Sequence, residues 1–256
     1  MNIEETKKIT LSLIDTFKKA GQIALDLRKV GLTKEIKSDN TPVSNGDLEV
    51  NKILTKRIFN ITPNIPIVSE ESSSHKTDNN LRDFWLIDQI DGTRDYINNR
   101  DEFTLNAALI LNKKPVIGII TAPAKKRIFY SYGLSNSYEL IDSNEVSLIN
   151  KKKDYEGLTS VSYSNKLKPE ILEIHKKYKI ISHQKMKSSL KFCVIAAGEF
   201  DMYVTEPRAC EWDIAAGHAI LEHAGGKITD FNEDEILYGK HEFKNPSLIV
   251  KNKNIQ

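Results

Sequence analysis

At 256 residues, with 37 basic and 35 acidic side chains and a formal net charge of +2, the chain is long enough for one large domain or two small ones sharing a core. Its charge is too nearly balanced for a nucleic-acid-binding surface to be its main business, and two cysteines, Cys193 and Cys210, do not make a disulfide framework. No apolar run reaches the length of a membrane span and Met1-Asn-Ile-Glu-Glu-Thr6 lacks a secretory pattern, so a cytoplasmic protein is expected, with peripheral attachment at the inner face of the membrane kept open.

Ile9, Leu13, Phe17, Ala20, Ala24 and Leu27 recur at spacings of three and four, which predicts an amphipathic helix over 6–29, ended by Gly31. Residues 34–38 alternate like a strand, 39–42 form a turn, and Leu48, Ile53, Leu54 and Ile58 mark a second helix starting near Asp47. On this reading Asp47 is an N-cap or first-turn acid, stabilised as an anion by the helix dipole. Residues 66–69 are an apolar strand ending in Glu70 and Glu71. A short buried strand over 84–87 likewise ends at Asp88 and Asp91, where Gly92-Thr93 gives a permissive turn into a short helix over 93–97.

Apolar runs at 103–111, 116–122 and 127–132 predict an antiparallel meander. Residues 145–155 are polar, lysine-rich and aperiodic, the expected seam between an N-terminal α+β half (1–145) and a C-terminal α/β half (146–256). In the second half, strands at 158–162, 179–182 and 200–205 alternate with helices at 169–178, 189–197 and 213–223, the last stopped by Gly225-Gly226. Pattern alone supports a mixed α and β class. The six histidines, from His75 to His241, show no metal-ligand spacing, which disfavours a zinc hydrolase.

Chemistry concentrates where apolar segments meet acids. Asp88 and Asp91, Glu70, and Asp213 at the start of a helix kept narrow by Ala215, Ala216 and Gly217 are hard oxygen ligands suited to Mg²⁺ or Mn²⁺, though each also fits a capping role. Glu70, Asp88-Gln-Ile-Asp-Gly-Thr93 and Trp212-Asp-Ile-Ala-Ala-Gly217 resemble the inositol monophosphatase superfamily of metal-dependent, lithium-sensitive phosphatases. Residues 37–44 with Asp47, 102–110 and 188–193 are similar to its CysQ-type 3′(2′),5′-bisphosphate nucleotidases, so the resemblance runs along nearly the whole chain.

The resemblance implies a layered α/β/α/β/α sandwich with the acidic site in the cleft between the halves. It implies two or three Mg²⁺ ions, with Mn²⁺ as a substitute. Glu70, Asp88 and the Ile90 carbonyl hold one ion, Asp88, Asp91 and Asp213 a second, and Glu70 a weaker third through water. Asp47 and Thr93 take the catalytic role of orienting the attacking water, and the Gly92 and Thr93 N–H groups bind phosphate oxygens. Ser189 and Lys191 take the nucleotide, although from the residues alone they read as an N-cap serine and a solvated helix lysine.

The implied reaction is hydrolysis of the small-molecule ester 3′-phosphoadenosine 5′-phosphate to AMP and phosphate, without a covalent intermediate, in a monomer or homodimer serving sulfur metabolism. An inositol or other sugar monophosphate phosphatase is the alternative, and a non-enzymatic nucleotide-binding module is the weaker third reading. Two departures from the pattern are expected to matter: Gln89 stands where a proline is usual, and Tyr163 and Asn165 replace an arginine and a histidine.

Overall fold

In the computed structural model, which describes residues 1–37, 40–71, 81–142, 144–149 and 156–255, helix α1 runs over Ile3–Val30. Asn2 Oδ1 accepts from the Glu5 N–H (3.0 Å) while Glu5 Oε2 accepts from the Asn2 N–H (2.7 Å), and this capping box starts the helix before Thr6. Strands β1 (Lys34–Ile36) and β2 (Pro42–Ser44) pair antiparallel, and β2 runs directly into α2 (Asn45–Ile61). There follow β3 (Ile67–Ser69), β4 (Phe84–Asp91), α3 (Thr93–Ile97), β5 (Thr104–Leu111), β6 (Lys114–Ala122), β7 (Arg127–Ser131), β8 (Ser137–Ile141) and β9 (Asn144–Ser147). The remaining elements are β10 (Leu158–Ser162), α4 (Pro169–Lys177), β11 (Ile180–Lys185), α5 (Leu190–Ala196), β12 (Met202–Thr205), α6 (Glu211–His223), β13 (Lys227–Thr229) and β14 (Leu248–Lys251).

The first sheet has seven strands in the order β3-β4-β5-β6-β7-β8-β9, and the second five in the order β11-β10-β12-β14-β13. The expected meander therefore continues through β8 and β9, and β9 occupies the first residues of the stretch read as a seam. Asp39, His75 and residues 150–155, on which parts of the sequence reading fall, lie outside the described residues. Among the described residues no helix is long and apolar enough to cross a membrane.

Period-two alternation decides the layers. Trp85, Ile87, Leu105, Ala107, Ile117 and Ile119 turn one face of the larger sheet to Leu13, Phe17, Ala20, Val50 and Leu54 of α1 and α2. Phe84, Leu86, Ala108, Ile110, Ile120 and Phe129 turn the other face to α5 and α6. The smaller sheet closes over these same two helices with Val161, Tyr203 and Val250, and sends Met202, Val204 and Ile249 to Ile171 of α4. The five layers are helix, sheet, helix, sheet, helix: the sandwich that the resemblance implies.

The central layer works only because its contacts are small. A Cβ at Gly118 on β6 would fall deep inside van der Waals contact with the Ala216 carbonyl oxygen and 2.9 Å from Ala219 Cβ, and one at Gly217 would stand 2.5 Å from Phe192 Cβ. The Ala216 carbonyl belongs to a helix backbone and cannot swing aside. Gly118→Ala should therefore destabilise the fold by about 1–3 kcal/mol, the usual cost of overpacking, when read by urea unfolding. It should also weaken divalent-cation binding, because α6 carries Asp213; wild-type stability in this variant would mean the helix has slack to move.

Candidate active site

Asp88 and Asp91 are an odd number of residues apart, and in an unbroken strand such residues point to opposite faces. Strand β4 is not unbroken. Asp88 pairs with Asn106 and Asp91 with Thr104, so three steps on β4 match two on β5, and this bulge returns Asp91 to the face of Asp88. The strand thus does not end at Ile87, as its apolar run suggests, and the two acids converge through a bulge within it rather than a tight turn after it. Gly92 follows at φ 94°, a backbone state that disfavours side chains, where a Cβ would also stand 2.8 Å from the Glu102 carbonyl oxygen.

Asp213 arrives from the smaller sheet's side of the cleft as the third residue of α6, its Oδ2 accepting from the Cys210 N–H (2.8 Å). Ligand oxygens of Asp88, Asp91 and Asp213 all lie within 4.8 Å of one another. Burial first, then repulsion from Glu70, Asp91 and Asp213, pushes the Asp88 carboxyl well above the usual carboxylate range. Burial and the charge of Asp91 push Asp213 up to about 7. Asp91 is also raised by burial, against the pull of Lys191 and of the Ser189 N–H. Asp88 Oδ1 is buried without a hydrogen-bond partner, a state that costs about 1–3 kcal/mol when nothing compensates it. Three converging carboxylates with an orphaned oxygen fit a hard divalent cation.

Glu70 lines the same cleft and its charge acts on Asp88, yet it stands outside the trio: Lys37 Nζ is 3.5 Å from Glu70 Oε1 and 2.8 Å from Glu71 Oε1. Gln89 is fully buried, with Nε2 donating to Glu71 Oε1 (3.4 Å) and Oε1 lying 3.4 Å from the Ser69 hydroxyl. A glutamine here ties β4 to the end of β3 through polar groups that proline lacks.

Asp47 has two uses, one per oxygen. Oδ2 accepts from the N–H (2.8 Å) and hydroxyl (2.6 Å) of Ser44, the first-turn role read from the sequence, while Oδ1 accepts from the Thr93 hydroxyl (3.0 Å). Burial raises the pKa of this carboxyl. The Thr93 hydroxyl also lies 3.0 Å from the Ile90 carbonyl, and Gly92 and Thr93 both line the cleft.

Ser189 is the N-cap of α5, as its position in the sequence suggests. It also joins the two sides of the site. Its N–H donates to Asp91 Oδ2, its hydroxyl donates to Asn106 Oδ1 (2.8 Å), and that hydroxyl shares a further bond with Thr104 Oγ1 (2.8 Å). Lys191 is not the solvated lysine that its residue type suggests: it is 8% exposed, its Nζ donates to the Ser188 carbonyl and lies 5.2 Å from the Tyr203 ring centre, and burial lowers its pKa to about 8.

The cleft measures about 440 Å³ and brings Glu70, Asp91, Thr93 and Asp213 together with Lys191. Tyr163 lines it, whereas Asn165 is exposed and directs its carbonyl to His183 Nε2 (3.3 Å). Sequence reasoning missed Lys187, Tyr203 and Arg208, which also line it. Arg208 had a signal, since it follows the carboxyl end of β12, the place where open α/β sheets present ligand-binding groups. Tyr203 reads as one more residue of a buried strand and Lys187 as one lysine among many.

The model of the inositol monophosphatase family matches residues 5–255. The chain belongs to this family. A 3′(2′),5′-bisphosphate nucleotidase CysQ of Buchnera aphidicola (subsp. Acyrthosiphon pisum) is 36% identical over 205 residues, 79% of this chain and 76% of the relative. A CysQ nucleotidase of Aggregatibacter actinomycetemcomitans is 29% identical over 253 residues, 96% and 93% of the two chains. The crystal structure of CysQ from Bacteroides thetaiotaomicron, described as a bacterial member of the inositol monophosphatase family, superposes with a TM-score of 0.75 at 28% identity, covering 95% of this chain and 96% of that one.

The raised carboxyl pKa values have a testable sign. A carboxyl that binds its proton more tightly folded than unfolded makes the fold lose stability as pH rises, here up to about 7 where Asp213 ionises, and the full cost persists above that. In chelator, Asp88→Asn should therefore raise the melting temperature at about pH 8, and the gain should shrink towards about pH 5.5, where protons already neutralise the cluster. A gain independent of pH, or a loss, would mean that repulsion among these carboxylates is not what Asp88→Asn relieves.

Proposed function

We propose that this chain is a Mg²⁺-dependent phosphomonoesterase that hydrolyses 3′-phosphoadenosine 5′-phosphate to AMP and phosphate. The observation that carries the reading is the convergence of three carboxylates, Asp88 buried with one oxygen lacking a partner and Asp91 and Asp213 half-buried, beside the Thr93–Asp47 hydroxyl–carboxylate pair. The names of the CysQ relatives support the substrate. Asp88, Asp91 and Asp213 would hold the metal, with Glu70 and the Ile90 carbonyl as further ligands. When bound, Mg²⁺ supplies Lewis acidity that acidifies a water and offsets the charge of the phosphate.

The remaining work falls to the chain's own groups. Because Ser44 fixes Asp47 Oδ2, its Oδ1 holds the Thr93 hydroxyl hydrogen and leaves a Thr93 Oγ1 lone pair free to orient the attacking water. The water's proton passes through Thr93 Oγ1 towards Asp47 Oδ1, whose raised pKa suits it to receive one. The Gly92 and Thr93 N–H groups take phosphate oxygens, and Ser189 keeps Asp91 in place. Attack by water requires no side-chain nucleophile and gives no phosphoenzyme.

Thr93→Ala should preserve the fold and Mg²⁺ binding while lowering kcat about 10²–10⁴-fold, the range typical of general acid–base positioning. Calorimetry showing lost Mg²⁺ binding alongside an unchanged kcat would reverse that assignment.

Substrate choice is tested by phosphate release from 3′-phosphoadenosine 5′-phosphate and inositol 1-phosphate in Mg²⁺. The bisphosphate should be preferred, and Lys191→Ala should narrow the preference, since an ammonium that meets a remote phosphate contributes about 10–150-fold through a charge-assisted bond. A wild-type preference for inositol 1-phosphate would move the assignment to a sugar phosphatase.

A further inference from the structure

The cleft has a second electrostatic character that the hydrolytic chemistry does not use. Besides the carboxylates, Lys187, Lys191 and Arg208 line it, and the fields of Lys187 and Arg208 both act on Lys191. The positive charge of Arg208 also acts on Asp91, which places the guanidinium within electrostatic reach of the trio. Among the described residues the N–H donors of Arg208 have no acceptor and no carboxylate lies within ion-pair distance of it.

Arg208 is nevertheless held in place. Its Cζ lies over the Tyr163 ring, 3.8 Å from the ring centre, a cation–π contact that seats the guanidinium on the aromatic face. Tyr163 is pinned in turn: its hydroxyl donates to Glu206 Oε1 (2.6 Å), and Lys168 Nζ stands 3.1 Å from the same oxygen. Stacking occupies the face of a guanidinium and leaves the N–H groups at its edges free. A flat, braced fork with unused donors is the arrangement that grips a phosphate through two parallel hydrogen bonds.

We propose that Arg208, braced on Tyr163, binds the phosphate that is not hydrolysed alongside Lys191, and that its fork adds a second, independent contribution to the selection of bisphosphorylated over monophosphorylated substrates. This rests on the reading of the site as a bisphosphate nucleotidase. A substrate with its single phosphate at the carboxylates leaves Arg208 without a ligand, whereas a second phosphate meets Arg208 and Lys191, with Lys187 adding field. Tyr163 is a positioning residue in this scheme, acting only through the guanidinium it supports.

The test compares kcat/KM for 3′-phosphoadenosine 5′-phosphate with that for adenosine 3′-phosphate, which differs only in lacking the remote phosphate. Arg208→Ala should lower the ratio of the two roughly 10- to 150-fold, and Arg208→Lys should restore part of it, because it keeps the charge without the fork. Tyr163→Ala should lower the ratio, while Tyr163→Phe, which keeps the ring and loses only its tie to Glu206, should lower it less. An unchanged ratio in Arg208→Ala, or an equal loss on both substrates, would overturn the proposal and leave the nucleotidase reading standing. A wild-type ratio near one would remove both, and it would be seen before any variant was made.

Discussion

How closely α6 can approach the larger sheet governs the rest of the molecule. That helix is the middle layer of the sandwich and also the carrier of Asp213, so the distance set by Gly118, Ala216 and Ala219 is the distance that lets a carboxylate from one side of the cleft reach two on the other. A helix held further off would still bury its apolar face. It would leave Asp213 too far from Asp88 and Asp91 to share a ligand with them. Packing and chemistry are here one constraint, and the small residues at 216 and 219 follow from it, as Gly217 follows from the approach of Phe192.

The closeness has an electrostatic cost. Three carboxylates drawn together in a buried place destabilise the fold, and the surrounding structure opposes that with a few well-placed groups: the Ser189 N–H on Asp91, the Cys210 N–H on Asp213, and the field of Lys191. None reaches Asp88 Oδ1. A cluster held together by packing and neutralised incompletely by its neighbours is pre-organised for a cation, because the entropy of gathering the ligands is lost on folding rather than on binding.

Much of this was legible in the sequence, for identifiable reasons. Helix α1, the central meander and the strand–helix alternation after residue 158 follow from apolar spacing, and the acids stood out because they interrupt apolar runs. What the pattern could not give was geometry that depends on counting across strands. The extra residue in β4 is invisible without β5, so the strand appeared to stop at Ile87. The two sides of Asp47 were equally hidden: the capping role is local to α2, while the bond from Thr93 spans 46 residues. Lys191 reads as a solvated lysine because its neighbours in sequence do not reveal that Tyr203 covers it. The departures at Gln89 and Tyr163 raised questions that only the fold answers, since each side chain has a specific partner, Glu71 for one and Glu206 with Arg208 for the other.

The bulge in β4 carries a consequence for how this segment can vary. Because Asp91 faces the cleft only through the slip of one residue between β4 and β5, the pairing register between the two aspartates is fixed more tightly than the identity of the residues there. Exchange of Gln89 for another side chain alters a local tie. Pairing that ran on in regular register past Asp88 would instead set Asp91 against Phe103 and turn it towards α1 and α2, into an apolar layer. The segment is thus tolerant of spelling and intolerant of a change of register, and the same asymmetry should hold wherever acids at odd spacing are made to serve one face of a sheet.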